Sequence, residues 1–305
     1  MNPQAIVLKA LQNALVVPAF NIPHLDMMRP IAQAVADERS VAMIQVARLE
    51  WVKFEAESLE RVAEEYARHH KPGYTLLHLD HVPVIDEDHL EVDYMDILAR
   101  AIAAGYQSLM VDGSRLSLEG NIAATARAAE LAHKAKVPIE AELGAVMGHE
   151  TREQSIPYEE IFEKRLGFTE IDDALRFVRE SGCDWLSVAV GSVHGAIADN
   201  LLDKKKPAAR LDIGRIEELE RALNIPLVLH GGSGIERDYI RRGIRAGIAK
   251  INVGTELRQP YEAAVKEGKS VTAAQDRVYD RCRELIRDFL QTSGDAAVLA
   301  GACGA

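Results

Sequence analysis

The stretch that decides the fold runs from residue 226 to residue 255 and reads PLVLHGGSGIERDYIRRGIRAGIAKINVGT. Two apolar runs, at 226–230 and 248–253, are separated by a helix-like segment at 238–246. Each run ends in a glycine-containing turn, and its nearly continuous apolar character is typical of a parallel strand that is buried on both faces. Strand, helix and strand in this order predict a right-handed βαβ unit.

The same alternation extends through most of the chain. The other short apolar runs lie at 16–20, 41–46, 74–79, 107–111, 137–142 and 185–190. The other helix-like segments lie at 28–38, 59–69, 94–104, 118–134, 172–180 and 213–223. Eight strands alternating with helices over about 250 residues predict an α/β protein with a (β/α)8 barrel, the TIM-barrel fold. A doubly wound sheet is the alternative, but it usually has a glycine-rich turn after its first strand, where this chain reads Asn21-Ile22-Pro23.

The remaining segments complete one domain. No linker, internal duplicate or low-complexity block marks a boundary, so residues 1–305 are expected to form a single barrel domain. After residue 255 the pattern predicts a C-terminal helical extension with helices at 256–266 and 270–292, and the small residues of 293–305 are expected to fray. The long connection at 143–167 is expected to be a binding loop on the active-site side.

Composition limits the classes of partner. Hydrophobic residues make up 48% of the chain, enough for a sizeable core, and the net charge of −11 argues against nucleic acid or an anionic membrane as the main partner. The three cysteines are far apart and form no CxxC motif, which fits a reducing compartment. No targeting or membrane-spanning stretch is evident, so we expect a soluble, cytoplasmic protein.

Three histidines stand where a barrel carries its chemistry. Catalytic side chains of (β/α)8 barrels lie at the carboxyl ends of the strands. His81, His194 and His230 each follow a different predicted strand. Three imidazoles that leave one position open form a typical catalytic zinc site, although imidazole also suits other first-row metals. The sequence therefore predicts a site for Zn²⁺ or another divalent first-row cation.

Carboxylates accompany the histidines. Asp80 precedes His81, and because successive strand residues point to opposite faces, both can reach the barrel mouth only if the third strand ends there. Asp80 is then either a general acid and base or a carboxylate that orients a ligand histidine. Asp112 and Glu142 end neighbouring strands, and they could bind a second cation, bind the first cation at an alternative position, or form ion pairs with barrel-mouth Lys or Arg.

Two glycine-containing turns predict a phosphate site. Gly231-Gly232-Ser233-Gly234 follows the seventh strand and Asn252-Val253-Gly254-Thr255 follows the eighth, which is the recurrent phosphate position of this architecture. Backbone N–H groups in such turns can hold a phosphate. With a metal and an acid/base residue, the site suits C–C cleavage of a phosphorylated ketose. The covalent alternative needs a Schiff-base lysine, and Lys250 is interpreted as structural.

At this point six motifs, in order along the chain, resemble those of the class II fructose-bisphosphate and tagatose-bisphosphate aldolases. The resemblance covers roughly residues 16–263. The motifs are LHLDH at 77–81, VDGS at 111–114, EAELG at 140–144, VGSVHG at 190–195, LVLHGGSG at 227–234 and KINVGTEL at 250–257. The resemblance implies reversible, metal-dependent cleavage of a ketose phosphate or bisphosphate to dihydroxyacetone phosphate and an aldehyde.

The resemblance also implies roles for individual residues. Asp80 is expected to be the proton donor, and His81, His194 and His230 are expected to bind the metal. Asp112 and Glu142 resemble a secondary metal position. The residues expected to bind dihydroxyacetone phosphate are Gly195, Gly231, Gly232, Ser233, Asn252, Val253, Gly254 and Thr255. A homodimer or homotetramer is implied as well, and some members of the family use a monovalent cation.

One segment departs from the family. After the second strand the family usually has Ser, Thr or Gly, whereas this chain reads VARLEW at 46–51. That region of the family tends to meet the aldehyde half of the substrate, so Arg48 is a candidate for aldehyde specificity, toward a carboxylate or a different sugar length. Two other functions are alternatives to an aldolase. A metal-dependent hydrolase would usually have an HxH pair on the first strand, which is absent at 20–22, and a non-catalytic sugar-phosphate-binding subunit would not need Asp80.

Overall fold

Eight parallel strands form a closed barrel in the computed structural model, which describes residues 1–144, 158–192, 209–232 and 234–301. The strands follow one another around the barrel in chain order, and the first pairs with the last. They are β1 Val17–Asn21, β2 Ala42–Ala47, β3 Thr75–Pro83, β4 Ser108–Asp112, β5 Ile139–Leu143, β6 Trp185–Val188, β7 Leu227–Leu229 and β8 Ile248–Val253. This topology confirms the predicted (β/α)8 barrel.

Helices connect the strands and extend the chain at both ends. The α-helices are Pro3–Gln12, Met28–Asp37, Arg48–Lys53, Leu59–His69, Tyr94–Ala104, Leu118–Lys134, Tyr158–Glu163, Ile171–Ser181, Ile213–Leu223, Arg237–Ala246, Thr255–Lys266, Val271–Glu284 and Ala296–Leu299. A short 3-10 helix, Leu25–Met27, and a π-helix, Leu285–Leu290, complete the described elements. Within the described ranges, none of the helices has the length and apolar character needed to cross a bilayer.

Side-chain caps explain why several helix boundaries were predictable. The four helices that begin and end at the predicted residues each start after a Ser or Asp whose side chain accepts a backbone N–H from the first turn. The four capping residues are Ser58, Asp93, Ser117 and Asp212. Each cap satisfies one of the N–H groups that the helix itself leaves without a partner, so the boundary is encoded locally.

The barrel interior is apolar at the amino ends of the strands and polar at their carboxyl ends. Val17, Met43, Leu76, Trp185 and Val228 form an apolar layer that packs against the N-terminal helix. Two residues further along four of these strands, the side chains on the same face are polar, because the side chains of a strand alternate with a period of two; they are Gln45, His78, Ser187 and His230. The fold therefore closes one end of the barrel and directs its polar side chains toward the other.

The end of the chain is ordered up to residue 301, so the prediction that 293–305 frays was wrong for most of that segment. Ala296 and Leu299 belong to a short helix and are 2% and 1% exposed. They pack in the same apolar cluster as Ile6 and Val7 of the N-terminal helix. Small apolar residues are useful here because the two short helices lie close together over the bottom of the barrel. Residues 302–305 lie outside the described ranges.

One buried carboxylate attaches the C-terminal extension to the barrel. Glu38 is 5% exposed and follows the helix Met28–Asp37. It accepts hydrogen bonds from Arg283 Nε at 2.6 Å, Arg287 Nε at 2.8 Å and Ser293 Oγ at 3.0 Å. Burial alone would raise the pKa of Glu38, but these donors outweigh it and hold the pKa below its ordinary value.

We expect Glu38→Gln to lower the free energy of unfolding by roughly 1–3 kcal/mol, because the buried charge-assisted hydrogen bonds are lost. The folded-state pKa of Glu38 lies below its unfolded value, so its stabilisation is present at neutral pH and is lost as the pH falls through the folded-state pKa. The difference between wild type and variant should therefore shrink in acid. Urea unfolding at several pH values measures this.

The matched control is Glu130→Gln, which removes an exposed carboxylate paired with Lys134 in the same kind of helical setting. Exposed pairs contribute little, so this variant should unfold like the wild type. Equal midpoints for the wild type and both variants at neutral pH would contradict the proposed role of Glu38.

Candidate active site

A β-bulge brings Asp80 and His81 to the mouth of the barrel together. β3 continues to Pro83, so the expectation that the strand ends near Asp80 was wrong. Instead, Asp80 and His81 both stand opposite the single residue Met110 of β4, and His81 has a φ of +27°. The extra residue breaks the alternation of side chains at this point. Both side chains therefore contribute to one site although the strand does not end.

The carboxylate of Asp80 is held from two sides by amide side chains. Asn252 Nδ2, on β8, donates to Asp80 Oδ1 at 2.9 Å, and Asn21 Nδ2, on β1, donates to Oδ2 at 2.9 Å. Gln45 Nε2 in turn donates to Asn21 Oδ1 at 2.8 Å, which fixes the orientation of that amide. Asp80 is only 2% exposed, so its position is set by these hydrogen bonds and by packing.

Two of the three predicted metal ligands lie side by side. The ring centroids of His81 and His230 are 4.6 Å apart. His81 Nδ1 lies 3.0 Å from Asp112 Oδ2 and 3.9 Å from Glu142 Oε2, and His230 Nδ1 lies 3.2 Å from the same Glu142 oxygen. The Nδ1 atoms of both rings therefore face the carboxylates that were predicted as a secondary metal position.

This cluster fits a divalent cation. Ligand atoms of Asp80, His81 and His230 lie within 4.8 Å of one another, and so do those of His81, Asp112 and Glu142. Imidazole with carboxylate is a donor set that zinc and other first-row metals accept. His194, the third histidine of the prediction, lies outside the described residues.

Charge neighbours set the protonation of the cluster. Burial alone would raise the pKa of Asp80, but the positive charges of His81, His230 and Lys250 outweigh it and hold the pKa below its ordinary value. Burial alone would lower the pKa of His81, whereas Asp80 and the other carboxylates raise it to about 10. Metal binding needs neutral imidazole, so a cation would compete with a proton for this ring.

Behind His230, a buried chain of charges connects the two halves of the site. His230 Nε2 lies 2.8 Å from Glu140 Oε1, and Glu140 Oε2 lies 2.9 Å from Lys250 Nζ. Lys250 Nζ also donates to Asn252 Oδ1 at 2.7 Å, and Asn252 is the residue that holds Asp80. Glu140 and Lys250 are fully buried. These contacts fit the interpretation of Lys250 as structural, and they orient His230 and Asn252 at once.

His78 lies deeper in the barrel and is neutral. Its Nδ1 is 2.8 Å from Ser108 Oγ, and the residue has no exposed surface. Burial lowers the pKa of His78 to about 3, and the positive charge of Lys250 adds to the effect. His78 therefore supports the floor of the site without adding charge to it.

The predicted phosphate site lies at the ends of β7 and β8. Gly231 has a φ of +68°, which favours glycine, and a Cβ on Gly232 would lie 3.1 Å from Ile251 Cγ2. Asn252 and Val253 end β8, Gly254 follows, and Thr255 begins a helix of 12 residues. Glycine turns next to a helix N-terminus suit an anion, because glycine has no side chain to cover the backbone N–H groups. Gly195 and Ser233 lie outside the described residues.

Arg48 pairs with a carboxylate beside the mouth. It begins the helix Arg48–Lys53 directly after β2, and its Nη1 lies 3.4 Å from Asp86 Oδ2. Asp86 is buried and also accepts the backbone N–H groups of Asp88 and Leu90. The charge of Arg48 is thus balanced by a carboxylate that shapes the loop after β3.

Two site residues, Asn21 and Glu50, were not predicted. Glu50 Oε2 accepts the backbone N–H of Ala47 at 2.7 Å and lies 3.4 Å from Asn21 Nδ2. Burial raises the pKa of Glu50 to about 8, and the negative charge of Asp80 adds to the rise. Asn21 is the last residue of β1, so the rule that catalytic side chains lie at the carboxyl ends of barrel strands also indicates it. Glu50 had no such signal, because no helix was predicted between the end of β2 and residue 59.

Comparisons with known proteins identify the family and support the fold. A family model described as class-II fructose-bisphosphate aldolase matches residues 1–295. The solved structure of the YdjI aldolase from Escherichia coli K12 is 27% identical, with a TM-score of 0.76, and the match covers 96% of this chain and 98% of that one.

Two further solved structures support the fold alone. A protein from Coccidioides immitis is 24% identical, with a TM-score of 0.77 and a match over 97% of this chain and 98% of that one. The fructose-bisphosphate aldolase of Campylobacter jejuni is 18% identical, with a TM-score of 0.70 and a match over 93% of each chain.

The Glu140–Lys250 pair predicts a measurable coupling. We expect Lys250→Met to lower the free energy of unfolding by roughly 3–5 kcal/mol, because it leaves the buried Glu140 carboxylate without its ammonium partner. The double variant Glu140→Gln/Lys250→Met should lose less than the sum of the two single variants. Urea unfolding of the four proteins measures the coupling. Lys134→Met, at an exposed lysine, is the control, and strict additivity of the two buried changes would contradict the prediction.

Proposed function

Because the chain belongs to the class II fructose-bisphosphate aldolase family, we propose that it catalyses the reversible, metal-dependent cleavage of a ketose phosphate to dihydroxyacetone phosphate and an aldehyde. It would thus be an aldehyde-lyase acting on fructose or tagatose 1,6-bisphosphate or on a related ketose 1-phosphate. The observation that carries the proposal is the carboxylate of Asp80, held by two amides beside the His81–His230 pair. The glycine turns at the ends of β7 and β8, which we propose as the phosphate site, adjoin this cluster through Asn252.

The metal would be bound at the histidine cluster. His81 and His230 offer two imidazoles, and His194 remains the predicted third ligand. Glu142 lies within reach of both described histidines and could serve an alternative metal position. We propose Zn²⁺ as the metal, which when bound would supply Lewis-acid polarisation of a carbonyl oxygen.

Asp80 is placed to move the proton of the reaction. In the cleavage direction its ionised carboxylate takes the proton from the hydroxyl group on the carbon that becomes the aldehyde. The electron pair of the breaking C–C bond then moves to the ketone half and forms an enediolate. A proton returned to the enediolate carbon gives dihydroxyacetone phosphate, so no net proton is gained or lost. The lowered pKa of Asp80 keeps its carboxylate ionised at neutral pH, which is the form that takes up the proton.

The amides around Asp80 give it a fixed direction. Each carboxylate oxygen accepts one amide N–H, from Asn21 and from Asn252, and each keeps a further lone pair for the substrate. Because Asn252 is itself held by Lys250, the carboxylate cannot rotate without breaking several buried hydrogen bonds. A fixed acceptor lowers the entropy cost of reaching the transition state.

The glycine turns would hold the phosphate of the dihydroxyacetone half. Gly231, Gly232 and Gly254 carry no side chain that would cover their backbone N–H groups, and the helix Thr255–Lys266 begins directly after Gly254. Backbone N–H groups and the helix dipole attract a dianion locally. This explains how a chain with a net charge of −11 could bind a phosphorylated substrate.

Metal removal distinguishes the proposed reaction from a Schiff-base route. We expect a chelator to abolish retro-aldol cleavage and added Zn²⁺ to restore it, while borohydride with substrate leaves the activity intact. A coupled assay for dihydroxyacetone phosphate follows the reaction. Full activity in metal-stripped protein, or inactivation by borohydride in the presence of substrate, would contradict the proposal.

Asp80→Asn tests the proton transfer. The amide keeps the shape of the side chain but cannot take a proton, so kcat should fall by about 10²–10⁴-fold. Bound metal, measured by atomic emission, should stay near wild type, whereas the melting temperature should fall modestly, because the new amide N–H faces the amide donor of Asn21 or Asn252. Asp88→Asn changes an exposed carboxylate on the loop after β3 and should leave kcat unaltered. If Asp80→Asn lost activity only together with its metal, Asp80 would be a metal-site residue rather than the acid and base.

A further inference from the structure

The long connection after β5, predicted to be a binding loop, is described from Tyr158 onward, where the helix Tyr158–Glu163 begins. Residues 145–157 lie outside the described residues. The phenol hydroxyl of Tyr158 accepts the backbone N–H of Arg210 at 2.8 Å. Its own proton lies within reach of two carbonyl oxygens, those of Gly191 at 3.0 Å and of Arg210 at 3.2 Å. One hydroxyl group therefore contacts two backbone positions that are far apart in the chain.

These two positions are the ends of the connection that follows β6. Gly191 comes shortly after β6, and Arg210 precedes the helix Ile213–Leu223. The predicted metal ligand His194 lies between them in the sequence, in the segment 193–208 that is outside the described residues. Only two residues separate Gly191 from His194, so the freedom of this ligand depends on how firmly Gly191 is held.

The same short helix also packs an aromatic ring against Gly191. Gly191 has a φ of +106°, and a Cβ at this position would lie 2.7 Å from Phe162 Cε2 and 2.5 Å from Arg210 O, so the fit needs glycine. The guanidinium of Arg210 lies over the Phe162 ring, 4.4 Å from its centroid, and it also pairs with Glu159. Tyr158, Glu159 and Phe162 therefore hold both ends of the connection from one helix.

The backbone links the two ends independently of these side chains. Asp212 N donates to Val190 O at 2.9 Å. Burial raises the pKa of Tyr158, so its hydroxyl stays protonated at neutral pH and contributes hydrogen bonds rather than charge. Loss of the hydroxyl is therefore expected to loosen the two ends without unfolding them.

We propose that Tyr158 is a positioning residue of the metal site, because its hydroxyl holds the two ends of the connection that carries His194. A ligand whose chain is already held loses less conformational entropy when it binds, so the metal is bound more tightly. This inference rests on the proposed aldolase function, which predicts His194 as the third ligand, and it gives the connection after β5 a role in that function. The competing interpretation gives Tyr158 a purely structural role.

Tyr158→Phe removes the hydroxyl and keeps the ring. We expect the Kd for Zn²⁺, measured by competition with a chromophoric chelator, to rise about tenfold, as for other residues that orient metal ligands without touching the metal. The melting temperature of the metal-free protein should fall only modestly, because the bond between Asp212 N and Val190 O remains. Should Tyr158→Phe fail to fold, Phe162→Leu loosens the same ends by removing the ring on Gly191, and the Kd should again rise.

A double-mutant cycle shows whether the effect passes through His194. His194→Ala should itself raise the Kd for Zn²⁺, and a weaker chelator then measures the binding. In that background Tyr158→Phe should raise the Kd by less than about twofold, because the ligand on which it acts is absent. An effect of about tenfold that persists without His194 would overturn the inference, and so would an unchanged Kd in Tyr158→Phe alone. A purely structural role would lower stability without this dependence on His194.

Tyr66→Phe is the matched control. The hydroxyl of Tyr66 likewise donates to a backbone carbonyl, Thr75 O at 2.8 Å, but it does so at the amino end of β3. The melting temperature should fall as in Tyr158→Phe, whereas the Kd for Zn²⁺ should stay at the wild-type value. An equal rise of the Kd in both variants would reflect general loosening of the barrel and would count against a specific role of Tyr158.

The two proposals fail in different ways. If metal-stripped protein keeps its full retro-aldol rate, while Tyr158→Phe still weakens Zn²⁺ binding through His194, the metal-dependent function fails and the role of Tyr158 stands. If cleavage needs the metal and Tyr158→Phe binds Zn²⁺ like the wild type, the aldolase function stands and Tyr158 is only structural. Failure of the wild type to bind Zn²⁺ would overturn both.

Discussion

The site depends on the buried ion pair of Glu140 and Lys250. Burying two charges in a barrel interior costs several kcal/mol per ion unless further hydrogen bonds satisfy them. Here those bonds come from His230 and Asn252, which are also the side chains that face the mouth. Neither ion can move without leaving the other without its partner. The ion pair therefore fixes the positions of His230 and Asn252 at the mouth of the barrel.

This dependence explains the division of the barrel into an apolar and a polar end. Trp185 and its neighbours pack with the helix Pro3–Gln12 at the bottom, so an apolar layer lies below the buried ions on that side. At the other end the polar side chains come from different strands and hydrogen-bond across the interior, as Asn21, Asp80 and Asn252 do. Rigid strands carry these groups, which suits a reaction that needs a carboxylate in a fixed direction. The glycine turns after β7 and β8 would add backbone N–H groups to the side chains proposed to bind the ligand.

Local patterns in the sequence predicted the fold well, but they gave little indication of the contacts between distant segments of the chain. Apolar runs indicated all eight strands, and caps such as Ser58 and Asp212 marked helix starts to the residue. The short helix Arg48–Lys53 has no capping side chain at Ala47, and Glu50 reaches back to supply one, so neither could be predicted from pattern. The histidines were found because they end strands. The pairing of Glu140 with Lys250 joins residues that only the closed barrel brings together.

The bulge in β3 shows that part of the site is encoded in the length of the chain rather than in the identity of its residues. Asp80 and His81 share the mouth because β3 has one residue more than β4 across the same span. A one-residue deletion anywhere within that span would restore strict alternation and turn one functional side chain outward, even if every chemical group were kept. Evolution can exchange side chains around this mouth one at a time, but it cannot change the residue count of β3 there by small steps without losing one of the two groups.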